Sequence, residues 1–88
     1  GVYDAWGKPE KALEYYEKAL EIAEKLNDIR GKATDLNNIG LVYNQWGKPE
    51  KALEYCEKAL KIFEDLRDER SAAIVKGNII ESKANLTK

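Results

Sequence analysis

Apolar side chains recur along this chain at intervals of three and four residues. Between residues 9 and 26 they stand at positions 12, 13, 15, 16, 19, 20, 22, 23 and 26. This spacing is typical of an amphipathic helix whose apolar stripe contacts neighbours on two sides. Similar spacing continues over residues 29–46, 49–67 and 68–85, so the pattern predicts four long helices. Residues 1–6 match the tail of a fifth, truncated helix.

Glycine and proline mark the boundaries between these helices. Gly47 is a helix stop, because glycine adopts the left-handed conformation without strain, and Pro49 is a helix start, because its missing N–H is harmless in a first turn. Gly7 and Pro9 form the same pair earlier in the chain. The candidate turn and cap residues at the other helix starts are Asn27, Asp28, Asp68 and Ser71. Short connections of this kind predict antiparallel neighbours.

One stretch of the sequence occurs twice. Residues 46–66 repeat residues 6–26 with 17 of 21 positions identical, at an offset of 40. A fixed period of this size is the mark of stacked helix pairs, which cannot bury their apolar stripes alone. We therefore predict an all-α fold in which antiparallel helix-turn-helix repeats stack as a short α-solenoid. Within a single domain, residues 1–28 form a partial first repeat, 29–67 a complete repeat and 68–88 a capping helix.

The last predicted helix departs from the repeat on one face. Lys76, Ile80 and Lys83 stand where the preceding copy has a leucine, a glycine and a tyrosine. Ile80 blocks the close approach that glycine permits, so this face should not accept another helix in the usual way. Near the start of the chain, part of the cover should also be missing from Ala12, Tyr16, Ala19 and Ala23. Apolar surface at both ends predicts a homodimer formed through the repeat ends.

The composition argues against several classes of function. The net charge is −1, from 15 basic and 16 acidic residues that are interleaved, so nucleic acid has no basic surface to bind. No apolar run approaches the roughly 20 residues of a membrane span. Histidine, the commonest general base and zinc ligand, does not occur in the sequence. Without a catalytic constellation, a metal site or a phosphate loop, we predict neither an enzyme nor a cofactor.

Cys56 is the single cysteine of the chain and fits a reducing, cytoplasmic setting. It takes the place of Tyr16 in the repeated apolar stripe, so we interpret it as a small packing residue. Trp46 ends its predicted helix beside a tight turn. We interpret it as packing within or between repeats rather than as a platform for a ligand.

Several of these residues resemble the signature of the tetratricopeptide repeat. Its W-x2-L-G-x2-Y segment aligns with Leu36, Ile39, Gly40 and Tyr43. Ala52 and Cys56 stand at its A-x3-F positions, and Gly40 and Ala52 are small where two helices have to approach closely. The period of 40 exceeds the usual 34 residues, and Glu64 stands in place of the usual proline. In its long period the chain is similar to the repeats of kinesin light chains and spindle-orientation adaptors.

This resemblance implies that the α-solenoid is a right-handed superhelix, which binds an extended peptide of a partner protein in a concave groove lined by the first helix of each pair. The expected function is a protein–protein interaction scaffold. The alternative is a structural module that self-associates through its exposed repeat ends. Helical periodicity places the following residues on the groove side: Thr34, Asn37, Asn38, Leu41, Asn44, Gln45, Ile74, Asn78, Glu81 and Asn85.

The expectation that this groove binds a peptide rests mainly on its asparagines. Asn38 and Asn78 stand one period apart, and in the long-repeat proteins asparagines at this place hydrogen-bond the backbone of a peptide. An amide suits that task because it offers donors and an acceptor. The alternative is that these asparagines are ordinary exposed residues, or bond to a neighbouring helix backbone. The lysines and arginines with which some members clamp a C-terminal carboxylate are not matched here, so such a ligand is not favoured.

Overall fold

The computed structural model describes residues 8–87, and these residues form four α-helices and no strand. The helices are α1 (Pro9–Lys25), α2 (Ile29–Gln45), α3 (Pro49–Asp65) and α4 (Glu69–Leu86). The prediction of an all-α fold is confirmed, and the helix ends lie within about two residues of those expected from the sequence. The expected fifth helix at residues 1–6 lies outside the described residues.

The helix starts alternate between two chemistries. α1 and α3 begin with a proline in the first turn and have no side-chain cap. α2 and α4 begin after an aspartate cap: Asp28 accepts a hydrogen bond from the backbone N–H of Gly31 at 2.9 Å, and Asp68 accepts one from Ser71 at 3.1 Å. Of the two residues considered for the cap of α4, Asp68 is therefore the cap and Ser71 the donor.

Each connection reverses the chain through one residue in the left-handed conformation. These residues are Asn27 (φ 53°), Gly47 (φ 78°) and Arg67 (φ 58°). At Gly47 the turn is closed by a hydrogen bond from the Lys48 N–H to the carbonyl of Tyr43 at 2.9 Å, and the other two turns close in the same way. This geometry satisfies carbonyls that a helix end leaves without partners, and it lets successive helices pack side by side.

Two clusters of buried side chains fill the space between the helices. The larger cluster joins α2, α3 and α4 through Ala33, Leu36, Cys56, Ala59, Phe63, Ala72, Val75 and Ile79. The smaller cluster joins α1 and α2 through Ala12, Leu13, Ile39 and Val42. Because α2 contributes to both clusters, it is the central helix of the described structure.

The contact between α2 and α3 depends on Gly40. A Cβ atom added to Gly40 would lie 2.5 Å from the Sγ atom of Cys56 and 3.1 Å from the carbonyl oxygen of Ala52. Both of these α3 residues are fully buried. The interpretation of Gly40 and Ala52 as the residues of close approach, and of Cys56 as a packing residue, is therefore confirmed.

The burial of apolar side chains differs between α1 and α4, the first and last helices of the described structure. The expectation that Ala12 and Ala23 are partly uncovered is wrong, since they are only 2% and 6% exposed. Ala12 belongs to the cluster shared with α2. Tyr16 is half-buried. On α4, Ile79 is buried while Ile80 remains 69% exposed.

Candidate functional site

α2 and α4 contact each other directly, although α3 lies between them in the chain. They are the first helices of successive pairs. We use the name groove face for the side of these two helices that carries the predicted residues: Thr34, Asn37, Asn38, Leu41, Asn44, Gln45, Ile74, Asn78, Glu81 and Asn85. The groove face therefore consists of side chains from two helices that the fold brings together.

Two pairs of asparagine amides join the helices. Asn78 donates from Nδ2 to Oδ1 of Asn37 at 3.0 Å, and Asn85 donates from Nδ2 to Oδ1 of Asn44 at 2.7 Å. The partners in each pair are 41 residues apart. The two asparagines on each helix are spaced by seven residues, which is about two helical turns. The pairs therefore define the register of α2 against α4 at two points.

The sequence period alone does not identify this pairing. An offset of 40 matches Asn78 with Asn38, whereas the side chain that it contacts is Asn37. Asn44 and Asn85 were both expected on the groove side, and in the structure they bond to each other. The signal present in the sequence was the seven-residue spacing of asparagines, which recurs in α2 and in α4.

Asn37 also contacts the third helix of the unit. The thiol of Cys56 on α3 donates to Oδ1 of Asn37 across 3.8 Å. Burial, with a smaller contribution from the charge of Glu57, raises the pKa of the Cys56 thiol to about 11, so the sulfur keeps its proton at neutral pH. Asn37 thus lies where α2, α3 and α4 meet, and it bonds to neighbouring helices through side chains rather than through their backbone.

The paired amides keep hydrogen-bonding capacity. An asparagine offers two donors and an acceptor with two lone pairs. Within residues 8–87, no side-chain bond involves Nδ2 of Asn37 or Oδ1 of Asn78. Both side chains are only partly buried. Each pair can therefore present one donor and one acceptor, in fixed orientation, to a peptide unit.

The remaining residues of the groove face differ in their exposure. Thr34 is exposed, but its hydroxyl donates to the carbonyl of Arg30 in its own helix at 3.0 Å. Asn38 and Leu41 are half-buried, and Gln45 is exposed. On α4, the apolar side chain of Ile74 is 59% exposed, and Glu81 is exposed. The surface thus combines amides with two aliphatic side chains and one carboxylate.

Charged side chains lie at the edge of the groove face, near the N-terminal ends of α2 and α4. Arg30 on α2 forms an ion pair with Asp68, the cap of α4. Hydrogen bonds from Ser71, and then the Arg30 guanidinium, lower the pKa of Asp68. On the other flank of α2, burial and then the charge of Asp28 raise the pKa of Asp35. Asp35 is therefore a carboxylate in surroundings that do not favour its charge.

An aromatic group lies at the opposite end of α2. The ring of Tyr43 stacks on Trp46 with centroids 6.2 Å apart and on Tyr55 of α3 with centroids 5.6 Å apart. The ammonium group of Lys48 lies 4.2 Å from the centre of the Trp46 ring. Trp46 is 38% exposed. It therefore packs within the repeat as expected, with part of its ring in solvent.

Residues 8–87 contain neither a candidate metal-binding cluster nor a candidate membrane-spanning helix. No group of three or more His, Cys, Asp or Glu side chains there could hold a metal ion. In the same part of the chain, no helix combines the length and the apolar character needed to cross a membrane. The groove face can supply oriented hydrogen bonds, apolar contact and one negative charge, which are means of binding.

Comparisons with known proteins agree with this architecture. The designed protein DA05, solved by solution NMR, is 32% identical to this chain and superposes with a TM-score of 0.85, covering 92% of this chain and 81% of the designed one. No curated protein matches the sequence. The family model of the tetratricopeptide repeat matches residues 2–65. That family is a non-catalytic, protein-interaction type of scaffold. Because the match spans well over half of the sequence, the chain belongs to the tetratricopeptide-repeat family.

Proposed function

We propose that this chain is a protein-interaction module whose concave groove receives an extended peptide segment of a partner, with the groove face as the contact surface. The observation that carries the proposal is the pair of asparagine bridges, Asn37–Asn78 and Asn44–Asn85. An extended peptide presents an N–H and a carbonyl at every residue. Oriented amide donors and acceptors that recur at a fixed spacing suit the recognition of such a backbone.

The two kinds of asparagine on the groove face lead to different expectations for substitution. Asn38 makes no side-chain hydrogen bond within residues 8–87, so Asn38→Ala should change binding and leave stability almost unchanged. Asn78 bonds to Asn37, so Asn78→Ala should cost both binding and about 0.5–1.5 kcal/mol of stability.

The test begins with a library of random peptides displayed on phage and selected on the immobilised chain. Binding of a selected peptide is then measured by fluorescence anisotropy. We expect Asn38→Ala to weaken binding about two- to tenfold, the equivalent of one net hydrogen bond. The matched control is Glu57→Gln on α3, an exposed side chain outside the groove face. Equal affinity for wild type, Asn38→Ala and Asn78→Ala would place the ligand elsewhere.

Self-assembly through the repeat ends is the second candidate function. Large apolar side chains on α1 are open to solvent, with Tyr15 61%, Ile22 58% and Leu26 72% exposed. On α4, Ile80 is 69% exposed. Light scattering over a concentration series tests this candidate. A dimer that dissociates in the Ile80→Lys variant supports it, and a monomer at several hundred micromolar refutes it. A cytoplasmic location stays a prediction from the single reduced cysteine.

A further inference from the structure

The groove face carries a single charged side chain, and it is acidic. Of the ten residues named above, only Glu81 has an acidic or basic side chain, and it is exposed. Glu81 lies three residues after Asn78 and four before Asn85, which places it on the same side of α4 as both asparagines. Leu41 has the corresponding position between the two asparagines of α2. The carboxylate therefore lies between the two amide pairs, beside an aliphatic side chain.

The lysines of α4 do not neutralise Glu81. Lys76 has its ammonium group 3.9 Å from a carboxylate oxygen of Glu64 on α3. Lys83 follows Glu81 by two residues, which on a helix corresponds to roughly 200° of rotation. No ion pair within residues 8–87 includes Glu81. Its charge is therefore available to a ligand.

Other charged side chains lie at the edges of the groove face. Asp35 lies three residues before Asn38, on the flank of α2 away from the amide pairs, and has no ion pair within the described residues. Arg30, four residues before Thr34, is paired with Asp68. Arg70, four residues before Ile74, is exposed and lies 11 residues before Glu81, roughly 16 Å along α4. Between the two amide pairs, Glu81 is therefore the charged side chain that the groove face offers.

We infer that the groove selects an extended peptide carrying a lysine or arginine that lies beside Glu81, together with aliphatic residues that contact Leu41 and Ile74. This inference rests on the proposed function and names the chemistry of the partner. The two aliphatic side chains supply apolar contact, since Ile74 is 59% exposed and Leu41 half-buried. A cationic side chain would pair with Glu81, whereas an acidic one would be repelled by its charge.

The experiment compares peptide selections on three proteins: wild type, Glu81→Lys, and Glu57→Lys as a control with the same change in net charge. Both substituted residues are exposed, so all three proteins should fold alike. We expect wild type and the control to select Lys or Arg at one peptide position and Glu81→Lys to select Asp or Glu there. Replacing that Lys by Glu in the wild-type peptide should weaken its binding to wild type by about fivefold or more.

The possible results distinguish a failure of this inference from a failure of the proposed peptide-binding function. Peptides that bind the groove with no preference for charge, or with the same preference in wild type and Glu81→Lys, would overturn the inference and leave the peptide-binding function standing. If none of the three proteins selects a peptide, the peptide-binding function itself fails. A preference that reverses only in Glu81→Lys assigns the recognition of the cation to Glu81.

Discussion

Replacing glycine by alanine should have opposite effects at two positions of this chain. In a helix interior, alanine is favoured over glycine by about 1 kcal/mol. A Cβ atom added to Gly77 on α4 meets no atom within 4 Å, so Gly77→Ala should increase the free energy of unfolding by about that amount. A Cβ added to Gly40 on α2 would meet the Cys56 sulfur at 2.5 Å and the Ala52 carbonyl oxygen at 3.1 Å. Overpacking of this kind costs about 1–3 kcal/mol.

The net effect of Gly40→Ala should therefore range from almost none to a loss of about 2 kcal/mol, because the gain in helix propensity offsets part of the overpacking. The two alanine variants should differ by about 1–3 kcal/mol in the free energy of unfolding. Urea unfolding followed by circular dichroism measures both values. In thermal scans, 1 kcal/mol corresponds to about 4–8 °C in Tm for a chain of this size.

A double-mutant cycle identifies the source of the difference. Cys56→Ala removes the sulfur that lies closest to the new methyl group but leaves the Ala52 carbonyl in place. In that background, Gly40→Ala should cost about 1 kcal/mol less than in the wild type, and the cycle reports this coupling directly. If Gly40→Ala stabilised the chain as much as Gly77→Ala does, the contact between α2 and α3 would be looser than the structure indicates, and the reasoning would be wrong.

Three further predictions concern single residues. Arg67→Gly should raise the free energy of unfolding by about 0.5–1 kcal/mol, because Arg67 holds a left-handed φ of 58° that glycine adopts without strain; a lower urea midpoint would contradict this. The pKa of Asp68 is lowered from 3.8, so its contribution is present above that pH and is lost as the pH falls through the lower folded-state pKa. Asp68→Asn should therefore weaken the acid dependence of urea unfolding, whereas an unchanged dependence would show that Asp68 does not contribute. Cys56 is buried, with its pKa raised to about 11, so Ellman's reagent should label it only in denaturant, and fast labelling of the native chain would refute this.

The helices and their ends were predictable because single residues determine them locally. Gly47 adopts the left-handed conformation that ended its predicted helix, and Pro49 begins the next helix. Arg67 shows the limit of this reasoning. It adopts the same backbone conformation as Gly47, yet no property of arginine favours it. The turn there is closed by a hydrogen bond from the Asp68 N–H to the carbonyl of Phe63 at 2.9 Å, and the residue type at position 67 does not indicate it.

The predicted site residues belong to α2 and α4, but their contacts depend on how the helices are placed. The sequence period equates Asn78 with Asn38, whereas the neighbouring helices bring Asn78 to Asn37. A repeat period describes equivalent positions, and a contact between neighbouring helices also depends on their tilt and axial shift. Val42, only 2% exposed, likewise belongs to the cluster that joins α1 and α2, whose members depend on how these helices are placed.

The two asparagine pairs also fix the axial offset between α2 and α4. An apolar seam between two helices tolerates axial sliding, since its contacts have no fixed direction. Hydrogen bonds at Asn37–Asn78 and Asn44–Asn85 are separated by seven residues, roughly 10 Å along the helix, and sliding by one residue breaks both at once. The superhelical rise from α2 to α4 is therefore determined before any ligand arrives. A peptide that binds a surface with its curvature already set does not bear the entropic cost of ordering it.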